Sequence, residues 1–455
     1  MKAIIPSNRM PRCELLFVRT SMVISDSKRL LLYLLLTSLL SVNIAIASPK
    51  VLSLEMSVSQ AIRDNPSLAE ITARYEALSA IPSQVGSLPD PTLSFNALNL
   101  PTDTFNLDQE PMTQLQVGLT QVIPFPGKLA LNEEISQFEA DAAKDNIAEA
   151  QLRLVSQVKI SWWSLFYMDR ALEIVSNNQR LLRQFVKIAE TKYEVGNGLQ
   201  QDVLLAQLEL SKLLDQKIKL EGRRRSQAAL LNKLLDDPAN TPILLPKNES
   251  LTQKLPEIIP ETALYQQAEN KRPILMQYSK GVQAAQSRVA RAEKDYYPDF
   301  MLGGFYGARQ GDNPANIGGR RSDLVSIKLS MSLPIFTERK QAKAVDQRNS
   351  ELLKQRYSLQ DMNNHVQTQI SQATADFQQA KQQVVLFNTG IIPQASQTVA
   401  SMLAGYQVSE VDFLNLVRSQ ITLFNYETRY WKAFTEANQA LAKLIAAVGE
   451  DNIYE

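Results

Sequence analysis

The strongest constraint on this chain is that its sequence repeats itself. The stretch from Pro91 to Gln207 returns from Pro298 to Gln420. Each copy holds two short alternating segments, then a proline corner (Ile123-Pro124-Phe125; Leu333-Pro334-Ile335-Phe336). Each continues into a long helical stretch that ends at a tyrosine, in Tyr193-Glu-Val-Gly and in Tyr406-Gln-Val-Ser. The spacing drifts little: 207 residues from Pro91 to Pro298, 210 from Pro124 to Pro334, 213 from Tyr193 to Tyr406. A duplicated unit of strand pair plus long helix predicts a symmetric, elongated assembly rather than a globular enzyme. The repeats are expected at 48–240 and 261–455, joined by a proline-containing connector at 241–260 that runs as an ordered belt.

The long stretches are expected to be helical. No proline interrupts Gly127 to Tyr193, which at 1.5 Å per residue spans about 100 Å. In the second repeat Leu359, Met362, Val366, Ile370, Ala373, Phe377, Ala380, Val384, Phe387 and Ile391 step by threes and fours. Such spacing predicts coiled-coil packing against neighbouring helices, with Gln, Asn, Asp and Lys on the solvated face. Pro393 should kink or break that helix. Helices return from Gln200 to Leu235 and from Asp412 to Val448, and an earlier helix is expected from Ser57 to Ala80, capped by Ser57 and ended by Pro82.

The short segments have the period of strands. Leu93, Phe95 and Ala97 alternate with Ser94 and Asn96, and Leu115, Val117 and Leu119 with Gln116, Gly118 and Thr120. The second copy runs Val325, Ile327, Leu329, Met331 and Leu333 against Ser326, Lys328, Ser330 and Ser332, beside a looser strand from Phe300 to Tyr306. One apolar and one polar face suits a soluble sandwich, where the apolar face turns inward, and an outer-membrane barrel, where it turns out to lipid. Four strands are too few to close a pore, and open edges are not tolerated in lipid. In a membrane several chains would therefore share one barrel; three would supply twelve strands.

Other features narrow the class. Lys28-Arg29, an apolar run from Leu30 to Ala47 and Ala45-Ile46-Ala47 read as a secretory signal at 1–47 cleaved before Ser48, with Met22 an alternative start. No later apolar run approaches the roughly 18 residues of a membrane helix. Cys13 lies in that leader, so the remaining chain has no thiol for a disulfide, a nucleophile or a metal. His365 is the single histidine and reads as a solvated surface residue, so neither a metal nor a cofactor is expected. Removing six basic and two acidic groups with the leader leaves 42 against 45, a net charge near −3 that gives no reason to expect nucleic acid. Catalytic signatures such as GxSxG or a phosphate loop after a strand are not present in the sequence, so no catalytic residue is assigned. A periplasmic coiled-coil adaptor or structural protein without pore activity is the alternative reading; it would carry one hairpin and Gly- and Val-rich β segments, where this chain shows two hairpins.

Taken in order, Leu88-Pro-Asp-Pro-Thr-Leu, Gln121-Val-Ile-Pro-Phe-Pro-Gly-Lys-Leu, Tyr193-Glu-Val-Gly, Ile392-Pro-Gln-Ala and Asp412-Phe-Leu resemble the TolC family of outer-membrane efflux proteins, from about Leu54 to Gly449. The Ile-Pro-Phe-Pro-Gly-Lys corner and Glu110-Pro-Met-Thr-Gln resemble the branch serving heavy-metal pumps of the RND type. The resemblance implies a homotrimer: a twelve-stranded β-barrel in the outer membrane of a Gram-negative-type cell, continued as a long α-helical barrel into the periplasm. Its partners would be a periplasmic adaptor, an inner-membrane pump and outer-membrane lipid, and it would be the exit duct of tripartite efflux or type I secretion. Loops 99–112 and 309–321 would be extracellular, and Phe95, Phe105, Phe125, Phe300, Tyr306 and Phe336 would lie near an aromatic belt. The turns Tyr193–Asp202 and Tyr406–Asn415 would be periplasmic tips, with Val195, Gly196, Leu199, Val408 and Ser409 docking the adaptor. Asp202 and Tyr406 match a gating aspartate and its hydrogen-bonding partner. Asn415 and Arg418 fall where some members place aperture aspartates, and Asp412 is the nearest acid. Asp412 equally suits a helix cap. Metal ions, drugs and exported polypeptides all stay open as cargo.

Overall fold

The computed structural model describes residues 51–246 and 255–454. The expected leader at 1–47, with Cys13, lies outside the described residues. Three short helices come first: α1 (Leu54–Asp64), α2 (Pro66–Ser79) and α3 (Ile81–Gly86). The sequence expectation of one helix from Ser57 to Ala80 is thus corrected. Pro66 lacks an amide proton and forces the residue before it out of the helical region, so Asn65 sits extended at φ −72° and ψ 117°. Its side chain then accepts from the Ser67 and Leu68 amides and starts α2. The cap of α1 is Ser53, which accepts from the Met56 amide; Ser57 is buried inside the helix.

Next follow β1 (Thr92–Leu98), β2 (Gln114–Ile123), the 67-residue α4 (Lys128–Glu194) and the 35-residue α5 (Gln200–Leu234). The second half begins with α6 (Glu261–Lys271) and α7 (Pro273–Glu293), then β3 (Phe300–Ala308) and β4 (Leu324–Met331). Its long helix is α8 (Gln341–Leu386), a π-helical turn (Phe387–Ile391) and α9 (Ile392–Gln407); α10 (Phe413–Val448) returns. Gln341 to Gln407 spans 67 residues, the length of α4, and both ends stand 213 residues beyond those of α4. The extra residues of the second repeat lie in the corner before α8, not in the helix. Pro393 does not break the rod. The π turn directly before it widens the backbone, as shown by the Ile392 amide bonding the Phe387 carbonyl five residues back.

The four strands form an antiparallel meander in the order β1-β2-β3-β4, so the two repeats meet where β2 pairs with β3 (Val117 opposite Tyr306, Ile123 opposite Phe300). In-register partners share a face. One face carries Leu93, Leu119, Gly304 and Ile327 in one row and Phe95, Val117, Tyr306 and Val325 in the next. None of the described residues covers it: Phe95 is 74% exposed and Ile327 82%. The opposite face is polar, with Ser94, Asn96, Gln116, Thr120, Ser326 and Lys328. Phe305 points to that face and lies over Gly118 and Gly303, where any Cβ would collide with its ring.

The main core is midway along the helices. Trp162, Trp163 and Phe166 of α4 pack edge-on and stacked against one another and against Trp431 and Phe434 of α10, among Leu231, Leu264, Ile370 and Leu444. The Trp162 indole donates to the Leu52 carbonyl at 3.0 Å, and the Leu52 amide donates to Leu244 at 2.8 Å. Val51 pairs with Leu244 and Ile258 with Tyr454, so the described parts of the connector are held by short bridges to the segments before α1 and after α10. A buried ion pair pins α7 to α4: Arg272 Nη2 donates to Glu149 Oε1 at 2.9 Å, with the residues 5% and 2% exposed. Burial pushes the Glu149 carboxyl up against the pull of Arg272 and Arg153. At the corner under the sheet, the buried Lys128 holds Asp295 at 3.0 Å and Asp299 at 2.9 Å, and the Phe125 amide donates to Asp299. Among the described residues no helix is long and apolar enough to cross a membrane.

Candidate functional site

The two helical hairpins turn at the end of the rods away from the sheet, and the turns share one backbone. In the first, the Asn197 amide reaches the Lys192 carbonyl at 2.8 Å and the Gly196 amide the Tyr193 carbonyl at 3.0 Å. In the second, Glu410 bonds Gly405 at 2.9 Å and Ser409 bonds Tyr406 at 3.2 Å. Both are Schellman motifs, which need a left-handed residue directly after the helix. Gly196 supplies it at φ +73° and Ser409 at φ +63°, so the missing glycine changes the cost of the second turn but not its shape.

The expected docking residues all lie on the outside of these turns. Val195, Leu199 and Val408 are 64%, 59% and 69% exposed, and Gly196 and Ser409 are exposed beside them. Of the expected gate residues, three come together. Tyr406 packs on Phe413 with ring centroids 5.2 Å apart, and its hydroxyl is buried with no hydrogen-bond partner among the described residues. Asp202, in the first turn of α5, stands close enough to act on it electrostatically; burial, and then the neighbouring Asp202 charge, push the Tyr406 phenol up. Within one chain the Asp202–Tyr406 hydrogen bond is not formed. The Asp202 carboxyl is itself raised, first by burial and then by Asp412, with Lys192 acting the other way. Asp412 occupies the N-cap position of α10 yet makes no side-chain cap bond. Asn415 and Arg418 stand apart, exposed along α10 on the side away from the buried Leu416 and Val417.

Sequence reasoning missed Lys192. Its ammonium donates to the Tyr406 carbonyl at 2.5 Å and to Ser409 Oγ at 3.0 Å, and lies 4.4 Å from the centre of the Tyr406 ring. It therefore bonds the open carbonyl end of the second hairpin's helix from the first hairpin. A lysine in the last turn of a helix usually serves its own carbonyls; no sequence pattern marks one that serves another helix. Further up, Gln420 of α10 donates to Asn178 of α4 at 2.7 Å, a second buried link between the hairpins. Around them Leu182, Phe185, Ala189, Ala206, Phe413, Leu416 and Val417 form an apolar cluster. The site thus has what a mechanical latch needs: two rigid levers, a small apolar contact and a few polar links near solvent. Among the described residues no group of His, Cys, Asp or Glu is arranged to hold a metal.

Known proteins resemble this chain in sequence and in fold. The alkaline protease secretion protein AprF of Pseudomonas aeruginosa is 22% identical over 315 residues, 68% of this chain. The match spans 63% of the length of that relative. The outer-membrane channel OprN superposes with a TM-score of 0.73 at 17% identity, covering 87% of this chain and 89% of its own. CusC superposes with a TM-score of 0.74 at 17% identity, covering 87% and 92%. Residues 57–236 and 264–450, most of both repeats, match the family described as outer membrane efflux protein. The chain, with its duplicated strand pairs and long hairpins, belongs to the outer membrane efflux protein family.

Proposed function

We propose that three copies of this chain form an exit duct through the outer membrane, closed at its hairpin tips until a periplasmic adaptor and an inner-membrane pump dock. The observation that carries this reading is the sheet. Among the described residues its apolar face is bare and both its edges, β1 and β4, lack partners. In water such a sheet is an aggregation hazard. As one third of a twelve-stranded barrel its edges pair, its apolar face meets lipid and its polar face lines water. The rods below it then carry the duct into the periplasm over about 100 Å, from 67 residues at 1.5 Å each.

The duct does no covalent chemistry. Asp202, Tyr406 and Asp412, with Asn415 and Arg418 beside them, guard the aperture, and Val195, Gly196, Leu199, Val408 and Ser409 receive the adaptor. The pump makes the first choice of cargo. The likeness to AprF favours an exported polypeptide as much as the corner motif favours metal efflux.

Mass in detergent together with single-channel conductance in planar bilayers tests the reading. A trimeric mass with low conductance that rises on Asp202→Ala or Tyr406→Phe supports a shared barrel with a latched tip. A monomer that inserts in no bilayer overturns it.

A further inference from the structure

Among the four strands, 34 residues in all, one side chain is charged: Lys328, in the middle of β4. Its row across the sheet is Thr92, Thr120, Gly303 and Lys328, on the polar face. The side chain is exposed, and it makes neither hydrogen bond nor ion pair with any described residue. Because β4 is an edge strand, a neighbouring copy would pair with it through β1, and β1 carries no charge either. No strand of any copy can therefore bring a carboxylate to Lys328, whatever the register of that pairing.

An unpaired cation at mid-strand is costly on the lipid face, about 2–4 kcal/mol near the bilayer centre. Facing water it costs little, and an ionisable residue at membrane depth is by default a functional one. Resting on the duct reading above, we propose that Lys328 is a selectivity residue: its three copies form a ring of positive charge inside the β-barrel that favours anionic solutes on their way out.

The dimensions suit such a ring. Twelve strands about 4.8 Å apart and tilted by about 40° give a backbone cylinder about 24 Å across. Lysine stems reaching inward by about 6 Å leave a ring of radius about 6 Å. That is shorter than the Debye length of about 8 Å at physiological ionic strength, so the field of the ring covers the whole cross-section. At 1 M salt, where the length falls to about 3 Å, the preference fades. The Thr, Ser, Asn, Gln and Gly lining of the same face adds no opposing charge.

The test is the chloride-to-potassium permeability ratio, from reversal potentials of single channels in a KCl gradient. Lys328→Gln lowers the ratio at least twofold relative to wild type, and Lys328→Glu lowers it further. A Lys328→Cys channel, with Cys13 replaced by serine, then has one thiol. A water-soluble cationic methanethiosulfonate added from the loop side restores the ratio, and its anionic counterpart depresses it. Ile327→Cys, on the apolar face, reacts with neither. A conducting channel whose ratio ignores both substitutions and both adducts, or whose Lys328→Cys thiol does not react, overturns the ring and leaves the duct standing. A wild-type protein that is a monomer in detergent and inserts in no bilayer overturns the duct, and the ring with it.

Discussion

Gly196 and Ser409 are in the same left-handed conformation, but only the serine bears the steric cost of its Cβ there. Around Gly196 there is open space, so a methyl group at that position would meet no neighbour and only the backbone would object. Gly196→Ala is expected to weaken the first tip by about 1 kcal/mol, read as roughly fivefold faster hydrogen exchange at the Asn197 amide. The buried pair at the centre of the rod behaves differently. Removing Arg272 leaves the enclosed Glu149 without its buried partner, so Arg272→Met alone should cost about 3–5 kcal/mol in denaturant unfolding. The double change Glu149→Leu with Arg272→Met should be close to neutral, because it removes both desolvation costs. The turn glycine could be read from sequence, since Gly after a helical run is a local signal. The Glu149–Arg272 and Lys192–Tyr406 partnerships could not, since each joins residues more than 100 positions apart without a pattern of its own.

At the scale of elements, the tips respond to pH through Asp202. Its carboxyl is raised by burial and by Asp412, so the packed tip favours the protonated form. That contribution is present in acid and is lost as pH rises through the raised value, where two carboxylates face each other. Conductance should therefore increase from the low end of the carboxylate range upward, and Asp202→Asn should flatten that dependence; an equally steep profile in the variant would refute the assignment. Asp295 at the corner under the sheet has the opposite sign. Burial pushes it up, but the hydrogen bonds from Arg291 and Lys128 outweigh this and hold it low, so acid loosens the corner. The long helices and strands were legible in sequence because their periods, 3.6 and 2, run for many residues. The break at Asn65–Pro66 and the π turn before Pro393 were not, because a proline allows several backbone answers and packing chooses among them.

At the scale of the whole molecule, the alternation in the strands left two architectures open, and the bare apolar face decides between them. A soluble sandwich would have covered Phe95, Val325 and Ile327; here they stand exposed. Ile327→Lys should reduce folding stability in lipid vesicles by about 2–4 kcal/mol in guanidinium titrations, whereas Ser326→Lys, one residue away on the polar face, should change it little. Equal losses at both positions would contradict the assignment of faces.

The π turn has a consequence for anything that grips the tips. The two rods contain the same number of residues, but one wider turn changes the phase and rise of everything beyond it. Tyr193 and Tyr406, equivalent in the repeat, also differ in their surroundings: one is 48% exposed, the other 5% and packed on Phe413. In a threefold assembly the rim would be a cogwheel of six teeth of two alternating kinds, three with the tyrosine bare and three with it packed away. A ring of six identical grips would find only every second tooth in step, so a matching collar needs either three grips or two kinds.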